Sequence, residues 1–74
     1  MVKGYKVGTL FEDMGRIGLL VRIIPKGSTH GIHRSIAWRT NYEIHYSDGS
    51  TIIMGEQTIK NLIAKGIMRL VQEK

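Results

Sequence analysis

The side chains best suited to chemistry in this chain are cations concentrated in one stretch without carboxylates. From Met14 through Tyr42 the sequence has no Asp or Glu, while the whole chain of 74 residues carries 11 Lys and Arg against 6 Asp and Glu, a formal charge of +5. An uneven basic excess is typical of surfaces that bind polyanions, and it is equally compatible with a solvated face that only keeps a small protein soluble. The candidate phosphate-binding residues are Arg16, Arg22, Lys26, Arg34 and Arg39.

One aromatic residue, Trp38, lies beside Arg39 within this basic stretch. We favour packing of this indole in the core or at its rim, and the alternative is stacking on a nucleic-acid base. Tyr42 and Tyr46 share the parity of Trp38, but at about 3.3 Å per residue Trp38 and Tyr46 stand roughly 26 Å apart along one straight strand. We therefore predict no single aromatic cage, with Tyr42 and Tyr46 in the core or at its rim.

The three histidines could be proposed as a metal site. Zinc prefers three or four converging nitrogen, sulfur or carboxylate ligands. Here His30 and His33 lie in a loop and His45 lies on a strand, so nothing in their spacing predicts convergence. We interpret them as surface or partly packed histidines and predict neither a metal site nor a cofactor.

The residues that could perform catalysis form no recognisable set. The chain has no cysteine, its serines have no His–carboxylate partner motif, and no phosphate-cradling glycine loop of the P-loop type occurs. Adjacent carboxylates occur only at Glu12-Asp13, in a predicted turn, where solvation is the ordinary explanation. The sequence therefore predicts a protein that is not an enzyme.

Gly15-Arg16-Ile17-Gly18 matches the GXXG loop with which KH domains clamp a nucleic-acid backbone. A KH loop must be followed by a helix, yet the residues from Leu19 to Ile24 are rich in β-branched side chains and alternate. We favour a turn followed by a close-packing glycine and keep the KH interpretation as the minor alternative.

Asp48-Gly49 is the strongest local signal of structure, because it joins two strand-like segments, 42–47 and 50–54. A two-residue Asp-Gly loop suits a type I′ turn and fixes the hairpin register. With that loop, the predicted pairs are Ser47 with Ser50, Tyr46 with Thr51, Ile44 with Ile53, and Tyr42 with Gly55. One face of the hairpin then carries Tyr42, Ile44, Tyr46 and Ile53.

The other elements follow from periodicity and from residues that break it. A first strand is predicted from Lys6 to Phe11 with a turn over 12–15, a second from Arg16 to Ile24 closed by Pro25, and a third that starts at Ile36 at the earliest. The polar stretch 26–35 is predicted to be a loop, and segment 25–35 the most mobile part of the chain. A short helix capped by Thr58 is expected to end at Gly66, before a closing strand from Ile67 to Val71.

The chain length predicts one domain, residues 1–74, near the lower size limit for an unaided hydrophobic core. Without cysteine, the simplest compartment is reducing, and we expect a cytoplasmic protein. The longest apolar run, Ile17 to Ile24, contains Arg22 and is too short to span a bilayer, so we expect a soluble protein without membrane contact.

Both faces of the predicted strands carry apolar side chains. We expect one set to fill the interior, namely Ile17, Leu19, Val21, Ile23, Ile44 and Ile53. The second set, Leu20, Ile24, Ile52 and Met54, then points outward. It lies either under the helix or in a surface patch, and such patches mark protein interfaces or oligomer contacts.

Five short strands with one short helix before the last strand are the layout of a small SH3-like β-barrel, and this fixes our fold class as mainly β. The segments 7–11, 15–21, 42–49 and 67–71 resemble the KOW and Tudor-like members of that fold, and they are similar to short barrel proteins of tailed phages. The resemblance implies either RNA or nucleic-acid machinery as a partner, as for KOW barrels, or modified peptides, as for Tudor barrels. For a phage-encoded protein it implies the host cytoplasm.

Two hypotheses follow. The first is a non-catalytic module that contacts nucleic acid through Arg16, Arg22, Lys26, Arg34, Trp38 and Arg39. The second is a structural or adaptor protein, such as a phage accessory or virion component, that acts through self-association or a protein partner. Its interface would be Leu20, Ile24, Ile52 and Met54.

Overall fold

A computed structural model describes residues 5–29 and 31–71 as one five-stranded antiparallel sheet with a single α-helix before the last strand. The elements are β1 (Leu10–Asp13), β2 (Arg16–Ile24), a 3₁₀ turn (Arg34–Ile36), β3 (Asn41–Tyr46), β4 (Thr51–Gly55), α1 (Glu56–Ala64) and β5 (Met68–Leu70). The strand order is β4-β3-β2-β1-β5, which confirms the mainly β fold class. In the described part of the chain no ladder joins β4 to β5, so closure into a barrel stays a prediction.

The first hairpin turns at Met14-Gly15, later than the sequence predicts. The predicted first strand, Lys6 to Phe11, is wrong at both ends, because the amide of Thr9 bonds to the carbonyl of Lys6 at 3.0 Å in a turn and β1 continues to Asp13. Met14 and Gly15 have φ angles of 53° and 85°, as a two-residue turn with two left-handed positions requires. β2 has the predicted bounds.

The β3–β4 hairpin is shifted by one residue from the predicted register. Tyr42 faces Met54 and Ile44 faces Ile52, since the loop has three residues rather than two. Of the loop residues only Gly49 has a positive φ, 92°, as expected of a type I turn that ends in a glycine bulge. The prediction of a two-residue Asp-Gly loop, and with it Ile53 on the face of Tyr42, is therefore wrong.

On β2 the helix covers the face opposite to the one we predicted as the interior, whereas on β3 Ile44 is buried as predicted. Leu20 and Ile44 are fully buried with Ile59 of α1, whereas Ile17 and Leu19, predicted inside, are 42% and 41% exposed. The alternation along β2 is interrupted at Val21, where the register against β3 shifts. The buried cluster consists of Phe11, Leu20, Tyr42, Ile44, Tyr46, Met54, Ile59 and Met68.

This packing corrects the predicted protein interface. Leu20, Ile24 and Met54 are buried inside the protomer, so they cannot form a surface patch. Ile52 lies on the edge strand β4 and is 36% exposed. Gly18 lies directly over the core, where an added Cβ would stand 2.7 Å from both Ile44 and Tyr46, so it is the close-packing glycine that we predicted.

The helix begins at Glu56, two residues before the predicted cap at Thr58, and Gly55 occupies the capping position without a side-chain bond. The C-terminal end of the helix agrees with the sequence prediction. Gly66 has a φ of 78°, its amide bonds to the carbonyl of Ile63 at 3.0 Å, and the next amide, of Ile67, bonds to Leu62 at 3.0 Å. Within residues 5–29 and 31–71, no helix is long and apolar enough to cross a membrane.

The connection between β2 and β3 is tied to the sheet at its second half. The prediction of a strand from Ile36 is wrong, because residues 34–36 form the 3₁₀ turn and β3 starts at Asn41. The side-chain amide of the buried Asn41 donates to the backbone carbonyls of Ile36 and Arg39 at 2.8 and 3.1 Å. A bond of 2.6 Å from the Gly27 amide to the Ala37 carbonyl draws the start of the connection against its end.

Candidate nucleic-acid interface

The six residues predicted to contact nucleic acid divide into two groups. Arg16 and Arg22 extend from β2 and contact carboxylates, and the other four belong to the β2–β3 connection. Those four are Lys26, Arg34, Trp38 and Arg39.

Arg16 fastens the two hairpin loops to each other. Its guanidinium lies 3.2 Å from the Asp48 carboxylate and 3.5 Å from that of Asp13, and its Cζ atom stands 4.0 Å from the centre of the Tyr46 ring. The hydrogen bond with Asp48 raises the pKa of Arg16. Hydrogen bonds from the side chain and the amide of Ser50, and then the one from Arg16, hold the pKa of Asp48 at about 2. Arg16 therefore has its counter-charges within the protein.

Arg22 lies across the outer side of the sheet. Its Nε donates to Glu43 at 2.8 Å, and the second Glu43 oxygen is 2.8 Å from Nε2 of His45. The hydrogen bond with His45, and then the one with Arg22, lowers the pKa of Glu43. A Cβ at Gly31 would stand 2.8 Å from Arg22, so the guanidinium also supports the β2–β3 connection.

Trp38 forms one wall of a cleft between the β2–β3 connection and α1. The indole is 67% exposed, and the guanidinium of Arg39 stands 5.6 Å from its centre. The Nε of Arg39 donates to Oδ1 of Asn41 at 2.8 Å, which fixes the side chain by a neutral partner. This Trp38 cleft has a volume of about 260 Å³ and is lined by Trp38, Arg39, Thr40, Glu56, Gln57 and Lys60.

The helical side of the Trp38 cleft was missed by the sequence interpretation. Lys60 contributes a cation that lies 3.3 Å from Glu56 one turn earlier, and Gln57 contributes an amide. The spacing of Glu56 and Lys60 predicts a helical ion pair. Nothing in the sequence says that this helical face lies beside Trp38, which is 18 residues before Glu56 in the chain.

Lys26 and Arg34 are exposed and have no carboxylate partner among residues 5–29 and 31–71. The Gly27–Ala37 bond places the chain at Lys26 next to the residue before Trp38, and the Ala37 amide donates to the carbonyl of Arg34. These two cations therefore belong to the same short stretch of folded chain as the Trp38 cleft.

The histidines do not converge in the part of the chain that the structure describes. His33 Nδ1 accepts the Ser35 amide at 3.1 Å and caps the 3₁₀ turn, while His45 pairs with Glu43 on the sheet. His30 lies outside the described residues. Within the described ranges no group of three or more His, Cys, Asp or Glu side chains could hold a metal ion.

A second surface of note is the outer face, the side of the sheet away from α1. Its apolar residues are Leu10, Ile17, Leu19 and Ile53. Leu19 is directly opposite Leu10. The ion pairs of Glu12 with Arg69 and of Arg22 with Glu43 lie beside these apolar residues. A larger cleft, of about 350 Å³, opens beside Met14 and Gly66, but its cation Arg69 is paired with Glu12.

Comparisons of this chain with protein-family models, with curated proteins and with solved structures find no match.

Proposed function

We propose that the protein is a non-catalytic module that binds nucleic acid at the Trp38 cleft and the adjoining basic connection. The observation that carries the proposal is the pairing of an indole two-thirds exposed to solvent with the guanidinium of Arg39, next to cations that have no carboxylate partner among residues 5–29 and 31–71. An exposed tryptophan offers its ring face to a base, and base–aromatic stacking contributes about 1–3 kcal/mol per base.

Fewer cations are proposed to contact phosphate than the sequence suggests. Arg16 and Arg22 each have an internal counter-charge, which a phosphate would have to displace. Lys26, Arg34 and Arg39 have none in the described part of the chain, so these three carry the proposed phosphate contacts. Contacts of this kind give affinity with little sequence preference.

The test uses Trp38 as its own reporter, because it is the one tryptophan in the chain. Stacking of a base on the indole is expected to quench its fluorescence during titration with a short oligonucleotide. With three or four phosphate contacts on a single strand, log affinity should fall with log salt at a slope of about −2 to −3. The absence of binding at low salt, or an affinity that does not depend on salt, would refute the proposal.

Charge-reversal variants distinguish a specific contribution of Lys26 and Arg34 to binding from the effect of the protein's net charge. Lys26→Glu with Arg34→Glu should flatten the salt slope by about 1.5, because two phosphate contacts are lost. The matched control is Lys6→Glu with Lys65→Glu, which changes the net charge equally at exposed residues outside the Trp38 cleft. Equal losses in the two double variants would leave no specific role for Lys26 and Arg34.

The exposed outer face favours a second candidate, an adaptor that acts through self-association. Ile17 and Leu19 are 42% and 41% exposed near the middle of the sheet, and covering them by a second copy would remove apolar area from water. If the parent self-associates, its apparent molecular mass in sedimentation equilibrium rises with concentration. Leu19→Lys should then reduce this rise without unfolding the protein. Leu20→Lys, at a fully buried position, should unfold it instead. A concentration-independent monomer would eliminate this candidate.

A further inference from the structure

We infer that the Trp38 cleft is a subsite for one unpaired nucleotide, so that the protein selects single-stranded over duplex nucleic acid. The inference rests on the proposed function and names the ligand class of that same site. Its basis is the combination, in one small cleft, of an indole two-thirds exposed to solvent, the guanidinium of Arg39 and the ammonium of Lys60.

The size of the cleft limits what can enter. At about 260 Å³ it falls below the roughly 300–1,000 Å³ of typical small-molecule pockets. Its lining combines Trp38 of the β2–β3 connection with Gln57 and Lys60 of the helix. We take a cleft of this volume to suit one planar base rather than a base pair held within a duplex.

Stacking on Trp38 also requires a base with a free face. In a duplex both faces of an internal base are covered by its neighbours, while the bases of a single strand are readily unstacked. A base on the indole would bring its own phosphate to the border of the cleft. The terminal nitrogens of Arg39 remain for that phosphate, since only its Nε is bonded to Asn41 in the described part of the chain.

Glu56 forms an ion pair with Lys60, the second cation of the Trp38 cleft. Its carboxylate lies 3.3 Å from the Lys60 ammonium, so in the free protein this cation is partly neutralised. The pair is an exposed i, i+4 contact, a class that is weak and easily exchanged. A phosphate that enters the cleft must therefore compete with Glu56 for Lys60, and removal of the Glu56 charge should strengthen binding.

The first experiment compares the affinities of single strands and a duplex by fluorescence anisotropy of labelled probes, since a duplex that does not stack on Trp38 need not quench its fluorescence. The probes are a thymidine decamer, a uridine decamer and a mixed-sequence ten-base-pair DNA duplex at one low salt concentration. Both single strands should bind about tenfold more tightly than the duplex, which corresponds to about one stacked base. In Trp38→Ala, read by fluorescence anisotropy of labelled probes, the ratio should fall to about one, and Trp38→Phe should restore part of it.

The second experiment tests the helical side of the cleft. Lys60→Gln should weaken single-strand binding about threefold, and Glu56→Gln should tighten it about threefold. The matched controls are Lys65→Gln at the C-terminal end of the helix and Glu12→Gln in the ion pair with Arg69, which change the charge equally outside this cleft. Circular dichroism melting verifies that each variant is folded.

The outcomes distinguish the inference from the function on which it rests. Equal affinity for single strands and duplex would overturn the inference and leave the nucleic-acid function standing. Equal effects of Lys60→Gln and Lys65→Gln, or of Glu56→Gln and Glu12→Gln, would also overturn it, because the helical wall would then act only through net charge. The absence of binding to all three probes would refute the proposed function itself.

Discussion

The hydroxyl of Tyr46 donates a hydrogen bond of 3.0 Å to Oδ2 of Asp13, and both residues are buried. This contact joins β3 to β1 across the intervening strand β2. Burial, and then the hydrogen bond to the carboxylate, raises the pKa of Tyr46, so its hydroxyl keeps its proton at every ordinary pH. The guanidinium of Arg16 covers the Tyr46 ring and neutralises Asp13, which makes a buried carboxylate tolerable in so small a core.

We expect Tyr46→Phe to lower the free energy of unfolding by about 1–3 kcal/mol, because it leaves a buried carboxylate oxygen without its donor. Urea unfolding followed by circular dichroism measures the effect. Tyr5→Phe is the matched control, since Tyr5 packs against the same core but has no hydroxyl partner in the described residues. A loss in Tyr46→Phe no larger than in Tyr5→Phe would contradict this role for the hydrogen bond.

Stability should fall in acid through the protonation of Asp48. Its pKa in the folded protein is lowered from 3.8 to about 2, so its contribution is present above about pH 4 and is lost as the pH falls toward 2. Asp48→Asn should therefore unfold at lower urea than the parent at pH 6, and the two midpoints should converge near pH 2. A difference that stays constant from pH 6 to pH 2 would show that the carboxylate charge is not the cause.

Replacement by alanine should cost different amounts of stability at Gly18 and at Gly55, although at both positions the added Cβ would stand 2.7 Å from another side chain. Gly18→Ala drives a methyl group into the buried Ile44 and Tyr46 side chains, and overpacking of this kind costs about 1–3 kcal/mol. At Gly55 the new methyl would meet the outer atoms of Arg39, which can move away. Gly55→Ala should thus cost less stability in urea unfolding, but it should change the fluorescence of Trp38 beside Arg39. The reverse order of stability losses would disprove this packing.

Deletion of residues 27–33 should leave the sheet folded. It removes the bond from Gly27 to Ala37 and the bonds that His33 accepts from the backbone of Ser35 and Ile36. The pairing of Ile24 with Asn41 and the bonds of the Asn41 side-chain amide remain. At about 0.5 kcal/mol for each net bond at an exposed residue, the loss is roughly 1.5 kcal/mol. For a chain of this size it should lower the melting temperature by roughly 6–12 °C. Thermal denaturation measures the shift, and a fall of more than about 20 °C would mean that the deleted segment belongs to the core.

Local signals in the sequence determined where several elements begin and end. Alternation from Arg16 to Ile24, closed by Pro25, sets the bounds of β2 because both signals act within a few residues. Gly66 ends the helix for the same kind of reason, since a left-handed backbone position favours glycine whatever surrounds it. The location of the β3–β4 hairpin was also correct, and its loop contains the predicted Asp48 and Gly49.

Register was decided by contacts from elsewhere in the chain. Asp-Gly is compatible with a two-residue and with a three-residue loop, and the two differ by one residue in every pair along the hairpin. Ser47 is drawn out of the β3–β4 ladder because its amide and hydroxyl bond to the backbone of Ile17 at 2.7 and 3.1 Å. Asp48 accepts bonds from Ser50 and Arg16, which favours the three-residue loop.

The tertiary structure alone decided which face of β2 is buried and which cations pair with carboxylates in the described residues. Both faces of β2 are apolar, so the choice depends on where α1 packs, and the bulge at Val21 further obscures the alternation. Asp48, which pairs with Arg16, and Glu43, which pairs with Arg22, lie 32 and 21 residues away in the chain. Lys60 lies beside Trp38 only through the packing of the helix. Burial and charge pairing are sums over neighbours in space, whereas sequence patterns report neighbours along the chain.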